Sequence, residues 1–362
     1  MMRGMADENL WAVVPAGGAG TRLWPLSRAA APKFLHDLGG TGRSLLQATY
    51  DRLVPLVGDR LLVVTGAAHA EAVSGQLDAL PTANVVAEPS PRDSMAAIGL
   101  AAAIIERQDP DAVMGSFAAD HVIADPEAFR ACVSEAAAVA RTGVLVTLGI
   151  EPDFPSTGFG YIRLAERLED FPTAHAVAEF VEKPDATTAA GYVASGEYRW
   201  NAGMFVARAS VVLDLLAENH PDLAAGVRAI AADPTRMDEI WPGLTKIAID
   251  HAVAEPAAAA GRVAVVPGAF GWEDIGDFEA LSDLLPAGAD GMKVLGDAAA
   301  VLAIDSTGLV VAGTGRTVAV LGLTDVVVVD TGDALLVTTT EHAQDVKAVV
   351  QALKDSGRSE LT

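Results

Sequence analysis

Residues 13–38 read VVPAGGAGTRLWPLSRAAAPKFLHDL, and how this stretch is read decides the fold. The apolar run at 10–14 has the character of a buried β-strand. It breaks at Gly17-Gly18-Ala19-Gly20, where three glycines in four positions let the backbone pass close to a ligand. Without Cβ atoms in the way, successive N–H groups turn inward and cradle phosphate oxygens. Arg22 and Lys33 follow at short range, with Arg28 between them. A strand, a glycine turn and then fixed cations is an arrangement that holds a polyphosphate.

Two familiar phosphate loops do not fit. A Walker A loop needs G-x-x-x-x-G-K-[ST], which is absent from the chain. A dinucleotide fingerprint needs a third glycine where Leu23 stands, and Pro25 interrupts the helix that should follow. The string G-G-x-G-T-R-L-x-P…P-K fits throughout, at Gly17, Gly18, Gly20, Thr21, Arg22, Leu23, Pro25, Pro32 and Lys33. It resembles the signature of the sugar-nucleotide pyrophosphorylases. The fuller form, GTRLWPLSR…PKF, is similar to the mannose-1-phosphate guanylyltransferases in particular. The resemblance implies a Rossmann-like, doubly wound mixed sheet of the nucleotidyltransferase (GT-A-like) kind. It also implies a small C-terminal β domain, a short left-handed β-helix.

Composition sets the outer limits. At 362 residues the chain has room for one large α/β domain and a smaller one. No apolar run reaches the roughly 18 to 20 residues that span a bilayer. The start, MMRGMADENLW, is too polar for a secretory segment. A single cysteine, Cys132, excludes an intrachain disulfide and a multi-cysteine zinc site. These features place the chain in the cytoplasm. A net charge of −23 with no basic cluster argues against nucleic acid as a partner. The same charge repels a polyanionic substrate, which therefore needs local cations and a metal ion. Lysines number six, and two of them, Lys33 and Lys183, fall inside motifs.

Apolar runs at 61–65, 84–87, 112–117, 144–150, 176–181, 203–207 and 263–266 read as strands, alternating with helix-like segments such as 94–107 and 126–141. Continuous rather than alternating apolar strands predict a sheet covered on both faces, with ligands at the carboxyl ends of the strands. Glu88-Pro89-Ser90-Pro91-Arg92-Asp93-Ser94 follows one such strand. Either Asp93 or Ser94 caps the next helix, or Glu88, Arg92 and Asp93 belong to a base pocket, where a carboxylate accepts from N1–H and the amine of guanine.

Asp120 follows the strand at 112–117, a usual place for a metal ligand; the alternative is a cap for the helix at Pro126. In the family the string resembles the P-A-D-H metal motif, and G-W-x-D-x-G supplies the second carboxylate, here Asp274. Glycines and prolines shape 149–162, which resembles the sugar-pocket loop, with the backbone near Gly160 against the sugar. Glu182-Lys183-Pro184 and Trp200-Asn201-Ala202-Gly203-Met204-Phe205 resemble FVEKP…WNSGMF. Glu182 and Asn201 then grip sugar hydroxyls and Lys183 the sugar phosphate.

After residue 285 the composition changes. A linker at 286–291 precedes short β runs at 301–304, 309–311, 318–321, 326–329 and 335–337, then an amphipathic helix over 341–354. Such runs suit a coiled solenoid or a sandwich, and the resemblance favours the β-helix. The chain therefore divides at 1–285, catalytic, and 286–362, a β domain suited to self-association as a homodimer. No isomerase domain of the kind some relatives carry is expected after it. The implied reaction joins GTP and mannose 1-phosphate, with Mg²⁺ on Asp120 and Asp274, Arg22 and Lys33 as catalytic cations, and Ala16, Gly17, Gly18, Gly20 and Thr21 around the nucleotide. Sister enzymes using a heptose or another hexose, and a non-catalytic sugar-nucleotide sensor, share most of these motifs. A sensor would be expected to lose cations or carboxylates that are present here.

Overall fold

A computed structural model describes residues 9–18, 20–289 and 291–362. Ala19 of the glycine turn, the polar start at 1–8 and Asp290 of the linker lie outside the described residues. The chain packs as two compact units. The first holds the chain to Ala16, Thr49–Ala119 and Ile123–Trp272. The second gathers Gly17–Ala48, Asp120–Val122 and Glu273–Thr362, so it takes in the signature loop and Asp120 as well as the β-rich end.

The strands before the β-rich end are β1 (Leu10–Ala16), β2 (Leu61–Gly66), β3 (Val85–Glu88), β4 (Val113–Ser116), β5 (Val122–Ile123), β6 (Leu145–Ile150), β7 (Gly160–Arg167), β8 (His175–Val181), β9 (Tyr198–Arg208), β10 (Val263–Gly268) and β11 (Trp272–Glu273). Among the described residues of the first unit, nine form one sheet in the order β3-β2-β1-β4-β9-β6-β10-β8-β7. Strands β3, β2, β1 and β4 run parallel, as do β6 and β10. Strand β9 is antiparallel to β4 and β6, and β8 to β10 and β7. The sheet is thus mixed, as expected. Its central strands are buried along nearly their whole length, so they appear in sequence as unbroken apolar runs. Helix Asp93–Gln108 lays Met95, Ala96, Ile98 and Ala102 into one core with Val13, Leu62, Val64 and Met114. Helix Pro126–Ala140 packs on β4, β6, β9 and β10.

One strand differs from expectation. The run read at 203–207 extends back to Tyr198, so Trp200 and Asn201 lie within β9 and not in a loop. Asn201 pairs with Gly149 on one neighbour and Gly160 on the other, which fixes its backbone in the sheet.

In the second unit, β12 (Met292–Gly296), β14 (Gly308–Ala312) and β16 (Val326–Asp330) lie parallel, as do β13 (Val301–Ile304) and β15 (Val318–Leu321). Met292 registers with Gly308, Gly308 with Val326, and Val301 with Val318, so the chain comes round every 16 to 18 residues. Parallel stacking of successive turns is a β-helix; a sandwich would pair its neighbours antiparallel. Strand β17 (Leu335–Thr339) folds back antiparallel on β16. The helix expected over 341–354 begins as 3₁₀ turns at Thr340–Asp345 and becomes α-helical at Val346–Asp355. One apolar cluster joins Leu23, Trp24, Leu38 and Leu45 to Ile275 and Phe278, to Leu309, Val311, Val327 and Val329, and to Val346 and Val350.

Candidate functional site

The pocket expected to hold phosphate forms within the second unit. Strand β1 ends at Ala16, whose carbonyl accepts from the Thr65 hydroxyl at 2.8 Å. At Gly20 the backbone is left-handed, φ 58°, and a Cβ there would lie 2.8 Å from Ser27 Oγ and 3.0 Å from Lys33 Cβ. Only glycine lets the loop fold back this tightly and bring Lys33 beside the turn. Pro32 opens the short 3₁₀ turn Lys33–Leu35. The Lys33 side chain, 11% exposed, sets its Nζ 2.7 Å from Asp120 Oδ2. It also donates to the carbonyls of Asp274 at 2.6 Å and Ile275 at 3.4 Å. Ile275 has φ 44°, a strained value for a β-branched residue that shapes the turn from Asp274 to Gly276. Arg22 is exposed and reaches the Gly276 carbonyl from Nη1 at 3.4 Å.

Gly17, Gly18, Gly20, Thr21, Arg22, Lys33, Asp120, Asp274 and Gly276 line a pocket of about 250 Å³. Pockets that enclose a whole ligand usually run from about 300 to 1,000 Å³. This one suits a polar head group. Burial alone would raise the Asp120 carboxyl, but the Lys33 ammonium beside it brings it below the ordinary carboxylate value. Asp274 is raised, first by burial and also by repulsion from Asp120, against the pull of Lys33 and Arg22. Asp120 does not cap the following helix, because Asp125 does so by accepting from Glu127 N and Ala128 N.

Do these residues fit a divalent cation? Among the described residues no group of three or more metal-binding side chains exists, so the protein alone makes no closed cage. Asp120 and Asp274 line one pocket and repel each other, a pair that fits an ion taking its other oxygens from substrate and water. Nucleotidyltransferases of this family generally use divalent metals.

A second set forms in the first unit. Gly160 opens β7 beneath Glu182, and a Cβ at 160 would lie 2.5 Å from Glu182 Oε2. That oxygen is buried without a hydrogen-bond partner, whereas Oε1 accepts from Lys183 Nζ. Asn201 Oδ1 accepts from the Thr147 hydroxyl at 2.7 Å and from Gly203 N at 3.1 Å. Its Nδ2 donates to Asp250 Oδ1 at 2.9 Å. One amide N–H therefore remains for a ligand. Asp250 carries no sequence signal of its own, yet it sits with Glu182 and Lys183; burial first, then Glu182, pushes its carboxyl up to about 6. Burial would lower the Lys183 ammonium, but Glu182, Asp250 and Asp93 around it raise it. Trp200, overlooked as a donor, has a buried Nε1 without a partner.

The segment at 88–94 is less uniform. Glu88 Oε2 is buried without a partner, and burial pushes the carboxyl up to about 7. Arg92 instead donates to the carbonyls of Trp241 and Pro242, which anchors the segment. Neither Asp93 nor Ser94 caps the helix: Asp93 has φ 65° and accepts from Ser94 N, and Ser94 Oγ accepts from Ile249 N.

Comparison with known proteins divides the chain along its sequence instead. A family model described as nucleotidyl transferase matches residues 11–290, and a MannoseP isomerase/GMP-like beta-helix domain matches 299–353. A mannose-1-phosphate guanylyltransferase of Escherichia coli (strain K12) is 42% identical over 98% of this chain and 76% of its own length. The xanthan biosynthesis protein XanB of Xanthomonas campestris pv. campestris (strain B100) is 41% identical over 97% and 74%. A crystal structure of mannose-1-phosphate geranyltransferase from Thermus thermophilus superposes with a TM-score of 0.85 at 33% identity, covering 96% of this chain and 99% of that one. No helix among the described residues is long and apolar enough to cross a membrane. On these matches, the chain belongs to the nucleotidyl transferase family.

Proposed function

We propose that this protein transfers GMP from GTP to α-D-mannose 1-phosphate, giving GDP-mannose and pyrophosphate. A phosphate oxygen of the sugar 1-phosphate attacks the α-phosphorus of GTP. The new O–P bond forms as the bond to the β-phosphate oxygen breaks, and pyrophosphate leaves. The nucleophile is already an anion, so no side chain need be acylated or phosphorylated. The chain holds two polyanions in line and offsets charge on the leaving group.

The observation that carries this reading is the pocket in which Lys33 bridges Asp120 and the Asp274 carbonyl above a glycine floor. Amides of Gly17, Gly18, Gly20 and Thr21 hold the triphosphate. Arg22 and Lys33 meet the β- and γ-phosphates. Two cationic and two acidic side chains leave the pocket near neutral, so the substrates bring an excess of negative charge. Asp120 and Asp274 would hold Mg²⁺, which supplies the missing positive charge when bound. Glu88 and Asp93 read the guanine, with Arg92 holding their segment. Gly160, Glu182, Lys183 and Asn201 take the sugar phosphate.

Residues 1–285 carry the chemistry in this reading and 286–362 the self-association, as a homodimer. Leu302, Ile304, Leu321, Leu335 and Val337 of the β-helix strands are each at least 48% exposed, which supports an apolar contact there. A reaction that consumes GTP belongs in the cytoplasm. Pyrophosphate release measured across a panel of nucleoside triphosphates and sugar 1-phosphates tests the assignment. GTP with mannose 1-phosphate is expected to be fastest; equal rates with UTP or dTTP, or with a heptose phosphate, would overturn it.

A further inference from the structure

The loop carrying Arg22 and Lys33 is fastened from behind by residues far along the chain. Trp24 Nε1 donates to the Leu361 carbonyl at 2.6 Å. Arg28 makes a two-pronged pair with Asp333, Nη1 to Oδ2 at 2.7 Å and Nη2 to Oδ1 at 2.6 Å. The same guanidinium donates from Nε to the Pro25 carbonyl, so it ties that turn to Asp333. Gln344 fastens the other wall of the pocket, donating to Asp277 Oδ2. Asp277 stands three residues after Asp274, and its Oδ1 caps helix Phe278–Leu284 through Glu279 N and Ala280 N. None of Trp24, Arg28, Asp333 and Gln344 lines the pocket.

Hydrogen bonds inside the loop, Leu23 N to Gly20 O and Ser27 N to Leu23 O, set its shape. They do not set where that shape is held. Placement comes from the buried Leu23 and Trp24 and from the fastenings at 333, 344 and 361. A catalytic cation displaced by about 1 Å can lose up to about 100-fold in rate, so placement is part of the chemistry.

We infer that the C-terminal segment 333–361 is a positioning element for the pocket: through Arg28–Asp333, Trp24–Leu361 and Asp277–Gln344 it sets the spacing of Arg22 and Lys33 against Asp274. The inference rests on the reading of that pocket as the triphosphate and metal site. It also changes what the β-rich end is for. A region expected to serve association alone is the frame on which the phosphate loop is mounted.

Asp333→Ala and Gln344→Ala, singly and together, test this in the full-length protein, with Asp333→Glu as the conservative variant. Asp333 is half exposed, so the fold survives its loss. In the double variant the KM for GTP is expected to rise about fivefold, since an exposed ion pair is worth up to about that factor. The KM for mannose 1-phosphate should stay within about twofold, because Glu182, Lys183, Asn201 and Asp250 belong to the other unit. Asp333→Glu should restore most of the GTP effect. A merely structural role would lower kcat only in proportion to the loss of folded protein, read by near-UV circular dichroism, and leave both KM values alone. That result, or wild-type kinetics in the double variant, overturns the inference. Lys33→Ala run alongside separates the two readings: retained turnover in that variant removes the site assignment and the inference with it, whereas its loss beside unchanged Asp333 and Gln344 variants removes the inference only.

Discussion

Gly160→Ala adds one methyl group at the floor of the sugar set. The glycine is not in the left-handed region, so alanine can adopt its backbone without strain. The new Cβ would lie 2.5 Å from Glu182 Oε2, 3.3 Å from Asn201 Cβ and 3.6 Å from Phe180 Cζ. Only the first distance is impossible. Ordinary contact begins near 3.4 Å, so the carboxylate must retreat by roughly 1 Å. It ends a flexible side chain, which makes the move tolerable for folding. For binding it is not, since Oε2, buried without a partner, is the acceptor proposed for a ligand hydroxyl. A hydrogen bond to a charged group contributes about 1.5 to 3 kcal/mol, so its loss predicts a roughly 10- to 100-fold fall in kcat/KM. Pyrophosphate release at saturating GTP, with mannose 1-phosphate varied, should show the loss as a raised sugar KM. The KM for GTP should be unchanged and the melting temperature lower by only a few degrees. An unaltered sugar KM, or equal rises in both, would refute the placement of the sugar at Glu182.

Two further outcomes are expected. Asp120→Asn and Asp274→Asn should each cut turnover by roughly two orders of magnitude with the fold intact, as for lost charge stabilisation in a transition state. The double variant should be little worse than either single, because both act through one ion, and excess EDTA should abolish activity; additive losses or EDTA-resistant turnover would exclude a shared metal. Asp250 predicts a pH effect on stability. Its folded carboxyl keeps its proton up to about 6, against 3.8 for the ordinary group, with Glu182, Lys183 and His251 around it. Between those values the folded state binds more protons, so stability falls as pH rises and the full penalty, on the order of 3 kcal/mol, applies above about pH 6. Urea denaturation of Asp250→Asn should show a stability gain over wild type that grows from pH 4 to 6 and then levels; a gain independent of pH would contradict it.

The sheet was readable because burial on both faces leaves strands as unbroken apolar runs, as at Leu61–Gly66 and Leu145–Ile150. That Gly17, Gly18, Gly20, Thr21, Arg22 and Lys33 gather at one pocket was readable because they stand within a short span of the chain. What escaped depends on distant pairing. Asp250 stands alone in an ordinary apolar segment, and its meaning comes from Asn201, 49 positions earlier. Trp24 and Arg28 stood in the quoted stretch, but their partners lie 337 and 305 positions away. Arg92 has the chemistry of a base reader in sequence and is taken up by two backbone carbonyls in the fold. Local pattern reveals what a residue can do; only the closed fold reveals whether it is free to do it.

The 305 positions between Arg28 and Asp333 also have a meaning in time. A ribosome adding about 5 to 20 residues per second needs roughly 15 to 60 seconds to travel between them. Through that interval the nascent chain already displays its glycine turn and cations, but the frame that holds them has not been made. A chain still being synthesised, or one released early by a broken message, therefore carries the loop proposed to bind phosphate without its mounting. On the inference above it should bind GTP more weakly, and full nucleotide capture is expected only once the segment at 333–361 has been made.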